Sequence, residues 1–475
     1  VIEGWSLNAK LRNRIGMLFL FLSDLTFIFT VLYISILLRT EVLSFPVSNR
    51  ISTRQYLWII PLWFLVFIYK GVYTKRVSFW DEVKMIWKSI CHVAVAIFTV
   101  VFLGKLSFNM SRSVIVSIIF FSFLFFPYWR ILSKRLIYSA GLMKRRAIIV
   151  GANGLGTLAL KAIQNEPNLG YEIVGFVDDV SDTRRIEGIK VHRYLKRIEK
   201  YISCGGITDI IFAKPDLEKK KVLELINKIQ HKVDNILYLP ELTGIACLGT
   251  ELRHFFNEQT LAIEIKNNLD KKLNYVFKRI IDYIIALILL PFILIVMLFI
   301  AIIVKITSEG PSIIKQDRIG KGGRTFKCYK FRTMYIDAEE RLKEILENDP
   351  AAKAEWEKYW KLKNDPRVTE VGRFLRKTSL DEIPQIFNVL KGEMSLIGPR
   401  PYLPREMDKL KDFKDIILSV PPGITGLWQT YGRNEKTYQE RLLLDSWYVR
   451  NWNLWLDVVI LLKTFNTVIK RKGAC

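Results

Sequence analysis

Histidine and cysteine are both scarce. The chain of 475 residues holds only four His and five Cys. No two His form an HxxxH-type pair, and Cys91, Cys204, Cys247, Cys328 and Cys475 form no CxxC pair. This pattern supports neither a His-based metal centre nor a zinc site nor a disulfide framework, and a reducing compartment is its natural reading. Acidic residues are also in short supply: 46 Asp and Glu face 71 Lys and Arg, a formal net charge of +25. Half of the residues are hydrophobic and 13% are aromatic, and the mean hydropathy is +0.18. A disordered chain lacks that much apolar surface. The same figures argue against a purely soluble enzyme and against an all-membrane transporter. The length suits about three domains of ~150 residues. No targeting signal is read from a chain whose first residue is Val1.

Four apolar stretches come first: Ile15–Leu38, Tyr56–Tyr69, Ser89–Leu103 and Ser113–Leu132. A spanning helix needs about 20 apolar residues. The first and fourth reach that length, and the middle two are short but rich in Trp, Phe and Ile. Trp58, Trp63, Trp87 and Trp129 suit the headgroup level. Lys10, Arg12 and Arg14 precede the first run. Lys70, Lys75, Arg76, Lys84 and Lys88 lie between the second and third, and Lys134, Arg135, Lys144, Arg145 and Arg146 follow the fourth. The two other loops are less basic. The positive-inside rule then puts both ends of a four-span bundle in the cytoplasm.

Ala147–Val150 reads as a short buried strand. It runs into Gly151-Ala152-Asn153-Gly154-Leu155-Gly156, then a helical stretch Thr157–Asn165, then a strand Ile173–Val177 that ends in Asp178-Asp179. Strand, Gly-rich turn, helix, strand and acid is the order of a dinucleotide-binding unit. The glycine spacing is GxxGxG rather than GxGxxG, so a Rossmann-like module that lost its cofactor, or serves assembly, is the favoured reading. Ile210–Ala213 and Ile236–Leu239 continue the α/β pattern.

Ile280–Val304 is a fifth apolar run, long enough to span. Pro291 sits at its centre, where it removes a backbone hydrogen bond and kinks a helix. Both flanks are basic, with Lys278 and Arg279 before it and Lys305, Lys315, Arg318 and Lys321 after it. A helix that enters, bends at Pro291 and returns satisfies both facts. Asp282 near its mouth can pair with Lys278 or Arg279. The alternative is an ordinary fifth span, which would carry everything after it across the membrane.

The last third of the chain is dense in chemical groups. Asp381-Glu382 is an adjacent carboxylate pair among many cations. Two neighbouring carboxylates suit Mg2+, a hard ion that prefers oxygen and bridges phosphates. A carboxylate can also attack phosphorus and form an acyl phosphate, and nearby Arg and Lys would cradle phosphate oxygens. Plainer alternatives stand beside this: a solvated helix start, a capping box from Ser379 to Glu382, and a rigid turn at Gly398-Pro399-Arg400-Pro401. Trp447, Trp452 and Trp455, within Gln439–Lys470, suit either an interfacial helix face or packing against a core.

The runs KCYKFRTM (Lys327–Met334), RKTSLDEIPQIFNVLKGEMSLIGPRP (Arg376–Pro401), PPGITGLWQ (Pro421–Gln429) and DSWYVRNWNLWLD (Asp445–Asp457) resemble the bacterial sugar transferase family. Its members are polyprenyl-phosphate hexose-1-phosphate transferases, also called monotopic phosphoglycosyl transferases. The likeness covers about Lys271–Cys475, and the whole layout resembles the larger members, most of all the branch that handles galactose phosphate in O-antigen synthesis. The resemblance implies that Asp381 attacks the β-phosphorus of a UDP-hexose, galactose ahead of glucose. UMP is expelled and a phosphosugar–aspartyl intermediate passes the sugar phosphate to undecaprenyl phosphate. It implies that Glu382 binds Mg2+ or holds the dyad, that Arg376 and Arg400 clamp phosphates with Lys330 and Arg332 as further candidates, and that Pro291 breaks a re-entrant helix. Family members often carry Ser just before this proline, where this chain has Leu290.

The expected fold is therefore a membrane α-helical bundle of four spans (1–143), an α/β Rossmann-like module (144–265), and an α/β-type catalytic domain (266–475) with a re-entrant membrane helix at about 273–306. The expected setting is the bacterial inner membrane with the soluble modules facing the cytoplasm. A homodimer is expected, because the middle module has no chemistry left to explain it. The charge alone could suggest nucleic acid, but no motif supports that partner.

Overall fold

The computed structural model describes all residues except 1, 43–51, 107–109, 182, 242–250, 256–259, 265–271, 360–361, 363–364, 431–436 and 470–475. The chain divides into two units, Val1–Glu241 and Leu242–Cys475. The expected boundary at 265/266 lies outside the described residues.

Apolar runs satisfy their backbone internally as helices, and the first unit opens with four: α1 (Ile2–Leu37), α2 (Ile59–Tyr69), α3 (Phe79–Leu103) and α4 (Arg112–Ser139). In this unit α1, α3 and α4 are long and apolar enough to cross a membrane. The second run, expected to span like the others, forms a helix of only 11 residues after a 3-10 turn at Thr53–Tyr56. Its segment nonetheless covers a comparable height. The Tyr56 hydroxyl accepts from Ser111 N at 2.8 Å, and Val72 O accepts from Arg130 at 3.0 Å. Ser111 and Arg130 lie about 28 Å apart along α4 at the helical rise. Trp63, expected among headgroups, is instead fully buried and stacked on Phe67 at 5.2 Å. Trp87 and Trp129 donate to Phe123 O and Ser23 O at 2.9 and 3.1 Å.

One end of this bundle carries a buried ion cluster. Arg130 pairs with Asp24 at 2.5 Å and Glu82 at 3.2 Å, while Lys134 pairs with Glu82 at 2.6 Å. Asn168 donates to the same Glu82 at 2.6 Å, which ties the bundle to the module that follows. Arg76 adds bonds to Leu169 O at 3.0 Å and Met143 O at 2.5 Å.

The module contains β1 (Arg145–Val150), α5 (Gly154–Gln164), β2 (Tyr171–Val177), β3 (Arg185–Ile186), β4 (Ile189–His192), α6 (Ile198–Gly205), β5 (Asp209–Phe212), α7 (Lys219–Ile229) and β6 (Asn235–Tyr238). The sheet order is β3-β4-β2-β1-β5-β6. All pairings are parallel except β3 with β4. The parallel strands thus follow the doubly wound order 3-2-1-4-5, with a switch point between β1 and β5. Strands buried on both faces read as continuous Ile and Val, and apolar clusters do fill both faces here.

The second unit begins with an antiparallel pair, β7 (Glu251–Phe255) and β8 (Thr260–Glu264), which the sequence reading did not anticipate. Then come α8 (Lys272–Thr307), the hairpin β9 (Ile313–Ile319) and β10 (Thr325–Phe331), α9 (Ala338–Asn348), α10 (Pro350–Tyr359), α11 (Glu370–Thr378), a 3-10 segment Leu380–Gln385, α12 (Ile386–Lys391) and β11 (Ser395–Ile397). A 3-10 stretch Pro404–Phe413 leads to α13 (Lys414–Ile417), β12 (Gly423–Thr425), α14 (Leu427–Thr430), α15 (Tyr438–Asn451) and α16 (Leu454–Ile469).

Helix α8 is continuous through Pro291. Ala286, Leu290, Ile293, Met297, Ile300 and Val304 recur at three- and four-residue steps and pack on the soluble elements of this unit. The opposite face, with Leu287, Ile288, Phe292, Ile295, Phe299 and Ile302, is exposed and wholly apolar. Both ends are pinned. Near the start, Lys278 pairs with Asp457 at 2.7 Å and Arg279 donates to Met394 O at 2.6 Å. Asp282 accepts from Ser395 Oγ at 2.7 Å and lies 3.9 Å from both Lys278 and Arg279. At the far end Arg332 donates to Ser308 O, Ser308 Oγ and Pro311 O at 2.6–2.8 Å.

The tryptophan-rich stretch is two helices rather than one, and Trp452 is buried, donating to Asp457 at 3.0 Å. Trp447 packs on the same core. Core packing thus accounts for both.

Candidate active site

Helix α11 ends at Ser379, whose backbone is left-handed at φ +58°. The chain reverses there into the 3-10 segment, which carries Asp381 and Glu382 in its first turn. The reversal brings Arg376, in the last turn of α11, opposite Asp381. Ser379 makes no side-chain cap, so the capping-box alternative fails. Glu382 instead accepts from Lys330 Nζ at 2.8 Å.

Lys330 comes from β10. Asn388 holds that strand like a neighbouring strand would, accepting from Tyr329 N at 3.0 Å and donating to Lys327 O at 2.8 Å. Register pairs Lys330 with Ile314, Cys328 with Gln316 and Phe326 with Arg318. Alternation therefore puts Arg318, Cys328 and Lys330 on one face of the hairpin.

Asp381 is half-buried. Burial first, and the neighbouring Glu382 second, push its carboxyl up to about 6, while Lys330 and Arg376 pull the other way. Burial lowers Arg376, with the charges of Asp381 and Asp365 opposing. Arg376 also donates from Nε to Thr333 Oγ1 at 2.9 Å. Cys328 is fully buried and its thiol is pushed up to about 11 by that burial, which makes it a poor nucleophile.

Arg400 is linked to this group through Arg318, which feels the charges of both Arg400 and Glu382. Its backbone N donates to Asp445 at 3.1 Å and its guanidinium lies 5.5 Å from the centre of the Trp428 ring. The Gly-Pro-Arg-Pro turn is held by the Pro-Pro-Gly-Ile-Thr run. Strands β11 and β12 pair in parallel, Gly398 N donates to Thr425 O at 2.9 Å, and Gly423 N donates to Pro399 O at 2.8 Å. A side chain at Gly423 would collide with Gly398 N, so this approach requires glycine.

The structure thus brings Asp381, Glu382, Lys330 and Arg376 together. It turns Arg332 away, into the carbonyls that end α8. Sequence reasoning gave no role to Asn388 or Asp445, and took Arg318 only as a flanking charge. The signal for Arg318 was its register opposite Phe326, which puts it on the same face as Cys328 and Lys330 once the hairpin is paired. Among the described residues no group of three or more His, Cys, Asp or Glu could hold a metal.

In the middle module the acid after β2 is already engaged. Asp178 pairs with Lys214 and accepts from Ala152 N at 2.8 Å, inside the Gly-rich turn. Asp179 accepts from Leu195 N at 2.6 Å. A side chain at Gly156 would strike the Gly151 carbonyl.

Comparisons with known proteins bear on both parts. Residues 273–471 match the family described as bacterial sugar transferase, and residues 69–240 match a CoA-binding domain. The chain is 36% identical over 481 residues to the undecaprenyl-phosphate galactose phosphotransferase of Salmonella typhimurium, covering 99% of each chain. It is 34% identical to the UDP-galactose-lipid carrier transferase of Erwinia amylovora, over 95% of this chain and 96% of that one. It is 33% identical to the UDP-glucose:undecaprenyl-phosphate glucose-1-phosphate transferase of Klebsiella pneumoniae, over 70% and 68%.

Proposed function

The chain belongs to the bacterial sugar transferase family, and from that premise we propose that it transfers hexose-1-phosphate from a UDP-hexose, galactose in preference to glucose, to undecaprenyl phosphate. The products are UMP and undecaprenyl-diphospho-hexose, a first membrane step in surface polysaccharide synthesis. The observation that carries this reading is the half-buried Asp381, facing Arg376 across the Ser379 reversal with Glu382 and Lys330 beside it.

A carboxylate oxygen of Asp381 attacks the β-phosphorus. The bond to the oxygen bridging the two phosphates breaks, and that oxygen leaves on UMP with its electron pair. An oxygen of undecaprenyl phosphate then attacks the same phosphorus and returns the carboxylate. Phosphoryl transfer between similar oxygens needs mainly positioning and charge neutralisation. Arg376 faces Asp381 and suits bidentate grip of the phosphate oxygens. Lys330 neutralises Glu382 and keeps the nucleophile more acidic than burial alone would. Mg2+ fits the donor set: Asp381 and Glu382 would hold it, and with no third His, Cys, Asp or Glu beside them among the described residues, substrate phosphates would supply further oxygens. When bound it would offset phosphate charge.

The pinning of α8 supports a helix that enters and returns to one face. Lys278 and Ser308 lie about 45 Å apart along it at the helical rise, yet both touch soluble elements of the same unit. A straight crossing would leave one of those contacts on each side of the bilayer. The basic flanks then favour the cytoplasmic face of the inner membrane.

The test is UMP release from a panel of UDP-sugars, with and without undecaprenyl phosphate and Mg2+. We expect turnover with UDP-galactose that needs both. No UMP from any UDP-hexose would overturn the proposal.

A further inference from the structure

Around Trp428 the catalytic unit gathers three arginines, and the carboxylates near enough to act on two of them, Asp445 and Glu406, are fewer than the cations. Arg400 and Arg441 both lie against its ring, their guanidinium carbons 5.5 and 5.1 Å from the centroid. Arg318 approaches Arg400 from β9. It is only 7% exposed and donates to Pro401 O at 2.9 Å and Gln316 Oε1 at 2.7 Å. Among the described residues none of the three guanidiniums pairs with a carboxylate.

The hydrogen-bond inventory is lopsided in the same place. Arg318 Nε, Arg441 Nε, Trp428 Nε1 and the Tyr438 hydroxyl are buried without a partner among the described residues. Against these four donors stands one unpartnered acceptor, Asp445 Oδ1. Its other oxygen already takes Tyr402 OH at 2.7 Å and Arg400 N at 3.1 Å. Folded proteins rarely leave so many buried donors unmet. What would balance the set is a compact anion with several acceptor oxygens. The like charges register on one another: burial, and after it the charge of Arg400, lowers both Arg318 and Arg441.

We propose that Arg318, Arg400 and Arg441, with Trp428 and Tyr438, form a phosphate site for the nucleotide half of the substrate, the phosphate that departs with UMP. This rests on the donor being a UDP-hexose, as proposed above. A lipid phosphate has the same chemistry, but the placement favours the nucleotide. The dyad has two flanks. Arg376 bonds Thr333, and along the chain from Thr333 comes exposed Ile336, while α11 also exposes Phe374, apolar surface suited to lipid. The arginine cluster lies on the Glu382 side, where Arg318 is close enough to feel the Glu382 charge. One nucleophile between two anion sites suits a reaction with two successive phosphate substrates.

The experiment measures binding of UMP, uridine and inorganic phosphate to the full chain in phospholipid nanodiscs, with undecaprenyl phosphate titrated in a separate arm. Losing one charged hydrogen-bond donor costs roughly 10- to 100-fold in affinity. Arg441→Gln is expected to weaken UMP by about that factor and to leave uridine and undecaprenyl phosphate unchanged, with Arg441→Lys intermediate. Should Arg441→Gln not fold, Trp428→Phe decides, since it removes only the indole donor and should still weaken UMP several-fold. Unchanged UMP affinity in folded Arg441→Gln and Trp428→Phe would overturn the proposal, as would loss of undecaprenyl phosphate binding instead. Arginine-dependent UMP binding by a protein that releases no UMP from UDP-hexose would uphold the site while removing the donor reading.

Discussion

Asp381 is made a weak acid by its surroundings. Burial and Glu382 raise its carboxyl to about 6, and only the ionised form attacks phosphorus. With the pKa raised, kcat/KM is expected to climb with pH through about 6 and level off above it. Lys330→Met removes a cation that holds this value down, so the acid limb should move to higher pH; a pH–rate profile of both proteins checks this. Arg332 predicts a contrasting phenotype. Its three bonds end α8, so Arg332→Met should lower unfolding stability by about 3 kcal/mol with the KM for UDP-hexose little changed, as thermal unfolding and steady-state kinetics would show. Asp381, Glu382, Lys330 and Arg376 were legible because the runs that hold them resemble those of a known family. The sequence could not separate Lys330 from Arg332, two positions apart on one strand. What turns Arg332 aside is the carbonyl end of α8, more than twenty positions upstream at Ser308.

Among the elements, α8 and the β11–β12 pair carry the architecture of the site. The apolar length and basic flanks of α8 could be read from composition, but not the stripe that lies along soluble elements, because every residue from Ile280 to Val304 except Asp282, Tyr283 and Pro291 is aliphatic, Ala, Met or Phe. Exposure separates the faces: Met297 and Val304 are buried while Phe292 and Phe299 face outward. Met297→Asp should therefore cost stability and abolish folding in detergent, whereas Phe299→Leu should be silent by thermal unfolding. The strand pair depends on contact between Gly398 and Gly423. Gly423→Ala should cost about 1–3 kcal/mol and displace the turn bearing Arg400, seen as a higher KM for UDP-hexose. Strands of three residues, with 25 residues between them (397 to 423), are too short for periodicity to betray.

In the whole molecule the N-terminal unit is a joint as well as an anchor. Glu82 accepts from Arg130, Lys134 and Asn168, so one carboxylate links bundle and doubly wound module. Glu82→Gln would leave buried cations short of an anion, and a loss of about 3–5 kcal/mol is expected, measured by thermal unfolding of the full chain. The strand order of that module was foreshadowed by its Gly-rich turn, but the occupation of Asp178 by Lys214 was not, since Lys214 lies 36 positions further on. The account as a whole turns on a sugar phosphate resting on Asp381. The most direct measurement is to mix the purified protein with UDP-hexose labelled in the sugar, omit undecaprenyl phosphate, quench, and locate the label by peptide mass spectrometry. The account predicts a hexose-phosphate adduct on Asp381 that disappears when undecaprenyl phosphate is added. UMP release without any adduct, or an adduct that persists in Asp381→Asn, would contradict it.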